Sequence, residues 1–292
     1  MADLKFFSLL RSLGRMPQGI RTEIVLYYIK KLTGIKPTDH QTLWTSFLYF
    51  SVTQALKISD DGELYWVDFE YKGRRTRTSL RKGGSSDIFV FFHVFIAGGY
   101  QVLIDSLNRK SFAPAVIIDV GANVGYFSLI MKLIFPDAKI LCVEPAPSNF
   151  DQLKKNLMDA GNEIQFVNAA LATSNQKLWL KNAQAGEWAF QFSDDLVLST
   201  AACEGTDFSS LILNAGIERI DLLKIDIEGM EARLFGDASF LSELGKVTIL
   251  AMEIHDKFAD RGKIHEQLAA CGFSFFDHGE LTIAVNQKKL IS

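Results

Sequence analysis

Hydrophobic and polar positions along the chain change rhythm near Pro114. Before it, apolar residues recur at helix-like spacing, as in Leu4, Phe7, Leu10 and Leu13 and again at Ile24, Leu26, Tyr27 and Ile29, with breaks near Pro17, Gly34 and Pro37. Residues 1–57 therefore read as helices packed on something else. Residues 63–69 and 75–80 alternate instead, separated by Lys72-Gly73 and closed by Lys82-Gly83-Gly84, which predicts a β-hairpin. A helix over 87–100, stopped by Gly98-Gly99, completes this part. After Pro114, short apolar runs alternate with helical segments, the signature of parallel β-α units. The expected strands are 115–120, 139–144, 164–169, 220–226 and 246–253, with helices over 124–135, 148–161, 208–215 and from 231 onward. An extra hairpin is expected over 177–180 and 188–192. A helix over 265–272 and two strands, 273–276 and 281–285, joined by a tight turn, predict an antiparallel last strand. The chain thus divides into a helical and hairpin region, 1–110, and an α/β domain, 111–292.

Composition narrows the partners. With 48% hydrophobic residues and a formal charge of −3, neither disorder nor an electrostatic nucleic-acid binder is indicated. Cys142, Cys203 and Cys271 show no paired spacing and no histidine at zinc-ligand distance, so free thiols in a cytoplasmic protein are expected. The first residues lack the apolar core and cleavage site of a secretory signal. Two apolar stretches, 43–56 and 88–104, are short or carry polar residues, so buried helices rather than a transmembrane span are expected. The basic positions Arg11, Arg15, Arg21, Lys30, Lys31 and Lys36 leave peripheral contact with anionic lipid or an acidic partner open beside simple solvation.

The candidate chemistry sits where the first strand after Pro114 runs into Gly121. Open α/β sheets bind ligands at the carboxyl ends of their strands, and glycine lets backbone approach a ligand closely. The spacing of Gly121 and Gly125 is neither the dinucleotide Gly-x-Gly-x-x-Gly nor a phosphate-binding loop. Glu144 ends the next strand, where an acidic residue accepts hydrogen bonds from ribose hydroxyls. Those features suit more than one nucleoside cofactor. A nicotinamide-dependent oxidoreductase shares them but needs glycine where Asn123 stands. A catalytically inactive binding module is the non-enzymatic reading, against which the retention of Asp119, Gly121, Glu144 and Asp226 argues.

Four segments read together go further. Residues 116–128 (Val-Ile-Ile-Asp-Val-Gly-Ala-Asn-Val-Gly-Tyr-Phe-Ser), 142–150 (Cys-Val-Glu-Pro-Ala-Pro-Ser-Asn-Phe), 220–231 (Ile-Asp-Leu-Leu-Lys-Ile-Asp-Ile-Glu-Gly-Met-Glu) and 252–255 (Met-Glu-Ile-His) resemble, in order, the motifs of the FkbM-type S-adenosylmethionine-dependent methyltransferases. The resemblance covers roughly residues 87–276. It implies a Rossmann-like class I methyltransferase fold, with a mostly parallel seven-stranded sheet and an antiparallel terminal strand. It also implies that Asp119, Gly121, Asn123 and Gly125 line the methionine end of S-adenosylmethionine, that Glu144 binds its ribose, and that Asn168 and Ala169 approach the adenine. Thr206-Asp207-Phe208 departs from the family's order and receives no role. The family is mostly associated with O-methylation, so the expected acceptor is a hydroxyl of a small molecule, a saccharide or a lipid-linked compound, held by residues 1–110 and the 173–205 insertion.

A hydroxyl acceptor needs alignment and removal of its proton. Lys224, Asp226, Glu228 and His255 stand at the relevant strand ends, and Asp226 is also expected to contact the cofactor. His255, whose side chain titrates near neutrality, is the preferred base. Asp226 and Glu228 read as contacts to the cofactor amine and the acceptor rather than as metal ligands, because a hard cation collects more oxygens than two. Lys224 is open between a direct role and a structural ion pair with Asp226 or Glu228.

Overall fold

The computed structural model describes residues 2–53, 56–83, 85–180, 192–193, 202–227 and 229–289. It opens with three helices, α1 (Ala2–Arg15), α2 (Gln18–Leu32) and α3 (Asp39–Thr53), followed by an antiparallel sheet of β1 (Lys57–Asp60), β2 (Leu64–Tyr71) and β3 (Arg74–Arg81). The β2–β3 reversal is two residues long. Lys72 and Gly73 have φ of 48° and 81°, the left-handed pair whose twist matches that of the strands they join. The sheet has one strand more than the hairpin expected, because β1 is short and mostly exposed and so carries little apolar pattern. The next helix, α4 (Asp87–Phe91), is tied to β3 by charge. The fully buried Asp87 carboxylate accepts from the Arg81 backbone N–H at 2.7 Å and from its guanidinium at 2.6 Å. Phe69 packs edge-on against Phe91 and Phe95, and Phe91 meets Phe47 and Phe95 at a tilt in the core of this unit.

By compactness the chain divides between Gly98 and Gly99, before α5 (Gln101–Arg109) rather than after it. Leu103, Ile104 and Leu107 of that helix are buried. Asp87–Arg109 has the length and apolarity of a membrane crossing, but it is interrupted by a π-turn over Phe92–Ile96 and a bend over 97–100.

The second unit continues with β4 (Val116–Val120), α6 (Tyr126–Ile134), β5 (Lys139–Val143), α7 (Pro147–Leu157) and β6 (Ile164–Val167). Then come β7 (Ala170–Ala172), β8 (Gln176–Leu180), β9 (Phe192–Ser193), β10 (Ala202–Asp207) and α8 (Phe208–Asn214). The last part holds β11 (Ile220–Ile225), α9 (Glu231–Leu234), α10 (Ala238–Glu243), β12 (Val247–Glu253), α11 (Arg261–Ala270), β13 (Phe273–His278) and β14 (Leu281–Asn286). The main sheet has the order β13-β14-β12-β11-β4-β5-β6. Its five strands from β12 to β6 are parallel, and β14 runs antiparallel between β12 and β13. Every residue of β11 and of β14 is buried, as befits a sheet covered on both faces.

Several helix starts are written in single residues. Pro147 opens α7, where its missing N–H costs nothing. Asp207, Asp237 and Asp260 each accept backbone N–H bonds at the starts of α8, α10 and α11. Asp207 belongs to the segment that received no role from the sequence, and the structure makes it a cap. The strand expected over 164–169 stops at Val167, and β7 joins a separate sheet of order β7-β10-β8-β9. Of the expected extra hairpin, β8 and Phe192 are seen, and 188–191 lie outside the described residues.

The strand order reverses between β4 and β11, and there the backbones meet at their closest. A Cβ added to Gly121 would lie 1.8 Å from the Asp226 carbonyl oxygen, and the Gly121 φ is +74°. Gly121→Ala should therefore cost about 3 kcal/mol or more of stability, with contributions from positive φ and overlap. Gly14→Ala, in α1 with nothing within 4 Å of the new atom, should be neutral or stabilising. Urea midpoints of the two variants check this, and an unshifted midpoint for Gly121→Ala would contradict the close approach.

Candidate active site

Ligands bind open α/β sheets outside the strand ends where the order reverses, here the carboxyl ends of β4 and β11. A buried ammonium joins those ends. Lys224 on β11 donates to the Gly121 carbonyl at 2.7 Å and pairs with Asp119 of β4 at 3.3 Å and with Asp226 at 3.4 Å. Its ammonium also lies 5.9 Å from the centre of the Phe127 ring. Burial alone would lower the lysine pKa, but Asp119, Asp226 and Glu253 together hold it above the ordinary lysine range. Lys224 is thus a charged pillar. Of the two partners expected for it, Asp226 is in place, whereas Glu228 lies outside the described residues. Asp119 is fully buried and also accepts from Ser128 Oγ at 2.6 Å, so it underlies the crevice without surface of its own.

The loop after β4 is shaped by positive φ at Gly121, Asn123 and Gly125. The Gly121 and Ala122 N–H groups donate to Val143 O, both at 3.0 Å, and Gly125 starts α6. Glu144 fastens the loop from the neighbouring strand. Its two oxygens accept from the Asn123 N–H at 2.8 Å and the Ala146 N–H at 3.0 Å. Burial pushes this carboxyl up to about 7 against the pull of those two donors. Oε1 also accepts from Asn149 Nδ2 at 3.5 Å, whereas Oε2 accepts from Asn123 and keeps a second lone pair, so acceptor capacity remains there. The Asn123 Oδ1 is buried without a hydrogen-bond partner. Asn168, which is exposed, donates to the Glu144 and Pro145 carbonyls at 2.7 and 3.2 Å, and Ala169 beside it is buried.

After β12 the chain delivers His255 to the same strand ends. Its Nδ1 is hydrogen-bonded to Oε1 of Glu231, a fully buried residue at the start of α9, and its Nε2 lies 3.9 Å from Asp226 Oδ1. Glu231 Oε2 is buried with no hydrogen-bond partner. Glu253, two residues before His255, accepts from the Tyr100 hydroxyl at 3.1 Å. Burial and the nearby Asp226 raise the Glu253 carboxyl to about 7, against Lys224, the Tyr100 hydrogen bond and His255. One ligand atom each from Asp226, Glu253 and His255 lies within 4.8 Å of the others, a set able to hold a metal ion.

Glu231, Glu253 and Tyr100 are site residues that the sequence did not single out. Glu253 was within reach, since residues two apart at a strand end share a face and His255 stands two positions on. Glu231 was not, because its pairing with His255 spans 24 positions and depends on how α9 turns back.

A mostly parallel sheet closed by an antiparallel strand, with a glycine loop after one central strand and an acidic residue ending the next, defines a Rossmann-like class I methyltransferase fold. The methyltransferase FkbM domain matches residues 119–275, more than half of the chain, and the chain belongs to that family. Methyltransferase sdnD of Sordaria araneosa is 31% identical over 175 residues, which cover 49% of this chain and 65% of that protein. The 31-O-demethyl-FK506 methyltransferase FkbM of Streptomyces tacrolimicus is 26% identical over 190 residues, covering 54% and 72%. This chain spans slightly under two thirds of the length of sdnD and of methyltransferase 1 of Beauveria bassiana, 65% and 62%. Among solved structures, magnesium protoporphyrin IX methyltransferase from Synechocystis PCC 6803, with bound SAM, aligns at TM-score 0.41 and 13% identity over 65% of this chain and 78% of that one.

Two measurements test the site's electrostatics. Lys224→Met strands the buried Asp119 charge and should cost about 3–5 kcal/mol, part of which Asp119→Asn should restore in a double-mutant cycle. Purely additive losses would show that the pair is not coupled. Glu144 and Glu253 have folded values of about 7 against a reference of 4.5, so the folded protein holds protons that the unfolded chain releases. Stability of the cofactor-free protein should therefore fall as pH rises from about 4.5 to about 7. Melting temperatures across that window should flatten in Glu144→Gln and Glu253→Gln; profiles parallel to the unsubstituted protein would refute the effect of burial.

Proposed function

We propose that this chain transfers a methyl group from S-adenosylmethionine to a hydroxyl of a small-molecule, saccharide or lipid-linked acceptor, with His255 as general base. The observation that carries the reading is the buried Glu231 bonded to His255 Nδ1 at the edge of the crevice. With Nδ1–H donated to a carboxylate, the neutral ring keeps its basic nitrogen at Nε2, on the side of Asp226. Two relatives with O-methylation in their names, the FkbM enzyme and a malonyl-[acyl-carrier protein] O-methyltransferase of Acetivibrio thermocellus, favour oxygen as the acceptor atom.

The residues suit a cationic, nucleoside-bearing donor. Asp119, Asp226 and Glu253 outnumber the one lysine among them, so the crevice has negative charge to spare for a positive ligand. The buried, unpartnered Asn123 Oδ1 is a further acceptor on the loop. In this reading Asp226 and the loop of Gly121, Asn123 and Gly125 hold the methionine end, Glu144 accepts from the ribose, and Asn168 and Ala169 border the adenine. When bound, the donor supplies a methyl group on a sulfonium, a leaving group that needs no acid. His255 Nε2 takes the acceptor's hydroxyl proton as the new C–O bond forms, Glu231 stabilises the imidazolium, and the proton then leaves to solvent. Lys224 and Asp119 act by holding the strand ends together.

Lys224 already provides the positive charge beside Asp226, so the proposed reaction needs no metal. The three cysteines are free thiols, and we place the protein in the cytoplasm, where they stay reduced.

S-adenosylhomocysteine titration by calorimetry should show binding, with no response to NAD. Glu144→Ala should weaken that binding at least tenfold. His255→Ala should leave it within a factor of about two and lower kcat by about 10²–10⁴. Glu231→Gln should lower kcat less and shift the pH profile, the mark of a residue acting through His255. An unchanged kcat in His255→Ala would remove the base assignment, and turnover lost in EDTA but restored by magnesium would replace the metal-free reading with one using the Asp226, Glu253 and His255 set.

A further inference from the structure

The first 40 residues carry seven basic against three acidic side chains in a chain of formal charge −3. The same region holds an apolar surface the fold does not use. Of twelve large hydrophobic side chains exposed among the described residues, eight lie between Leu10 and Tyr49. Helix α2 is the centre. It buries Ile20 and Ile24, yet at i, i+3, i+4 and i+7 on its outer side it exposes Val25, Tyr28, Ile29 and Leu32, the last at 87%. A surface helix ordinarily turns a polar face outward, and one that is apolar on both faces has a second burial to make.

The flanks are those of an interfacial helix. Lys30 and Lys31 lie in its last turn, where long stems can run along apolar surface while the ammonium stays in water. Tyr28 shares a 3.1 Å hydroxyl–hydroxyl hydrogen bond with Tyr49 of α3, placing two phenols at the edge of the patch. Such rings suit a boundary between hydrocarbon and water.

We propose that the outer face of α2 docks on an anionic lipid surface, with Val25, Ile29 and Leu32 entering the headgroup–acyl boundary and Lys30 and Lys31 contacting lipid phosphates. A second copy of the chain is the competing occupant. Charge selects against it, since a two-fold contact through this face would bring one basic patch against another, whereas anionic lipid supplies the complement. The proposal stands apart from the methyl-transfer reading and is measured without turnover.

The test is flotation of the full chain with phosphatidylcholine vesicles, with and without phosphatidylglycerol. The protein should float with the anionic vesicles and stay behind with the neutral ones, and added salt should weaken the interaction. The triple variant Val25→Ser, Ile29→Ser, Leu32→Ser changes exposed positions only and should bind about tenfold less. Lys30→Glu with Lys31→Glu should bind less at low salt and converge on the unsubstituted protein at high salt. Urea midpoints confirm that each variant is folded. Failure to float with anionic vesicles, or flotation undiminished in the folded triple variant, would overturn the proposal. So would a dimer in light scattering that the triple variant returns to monomer, because the face would then belong to a second copy.

Discussion

A lysine ammonium with almost no access to water is tolerated only where fixed negative partners surround it. At Lys224 those partners are the carboxylates of Asp119 and Asp226 and the carbonyl of Gly121, which belong to two strands and to the loop between β4 and α6. The charge requirement therefore fixes the loop's position relative to β11. Gly121 then follows as a necessity, because at that separation no side chain fits between its Cα and the Asp226 carbonyl. Glu144 completes the arrangement from β5 by accepting the Asn123 N–H. The crevice is preorganised by groups that themselves have little or no exposed surface, while Asp226, Glu253, His255 and parts of the loop are only partly buried.

How much of this was readable from sequence depends on whether the signal was local. The central strands were legible because buried parallel strands are short, mostly apolar segments, as in residues 140–143 of β5 and 249–252 of β12, and β11 keeps that character around its two charges, Asp221 and Lys224. The final antiparallel pair was legible from two apolar runs and the turn between them. Strand β10, Ala-Cys-Glu-Gly-Thr-Asp, was not, since it neither alternates nor runs apolar and is held by pairing with β7 and β8. The site divides in the same way. Gly121, Glu144 and His255 announce themselves by position at strand ends. The Asp119–Lys224 pair joins residues over a hundred positions apart, so the sequence could weigh only the nearer carboxylates. Glu231 stands within a recognisable motif yet shows no role there, because nothing local says that a glutamate at a helix start will meet a histidine from the next strand.

An amphipathic pattern also leaves something unsaid. The spacing of Ile24, Leu26, Tyr27 and Ile29 reads as a helix packed on something, and of these the structure buries Ile24 and part of Tyr27 while Leu26 and Ile29 stay exposed. Periodicity identifies the helix but does not count its partners. Only solvent exposure separates an apolar residue that closes the fold from one that remains available.

The same reasoning governs the crevice. A fold that needed only to neutralise Lys224 would be served by one buried carboxylate, and Asp119 already provides it at 3.3 Å. Asp226 and Glu253 are then in excess of what the sheet requires, and burial has raised Glu253 far enough that its charge is retained only at a cost. Groups kept in excess of structural need and at such a cost indicate a ligand that compensates them. For these carboxylates that compensation is positive charge brought from outside the chain: a metal ion at Asp226, Glu253 and His255 supplies it, as do the sulfonium and ammonium of the proposed donor, and a neutral nucleoside does not. The charge balance of the crevice therefore favours a positive ligand, whereas the glycine loop fixes only where a ligand lies.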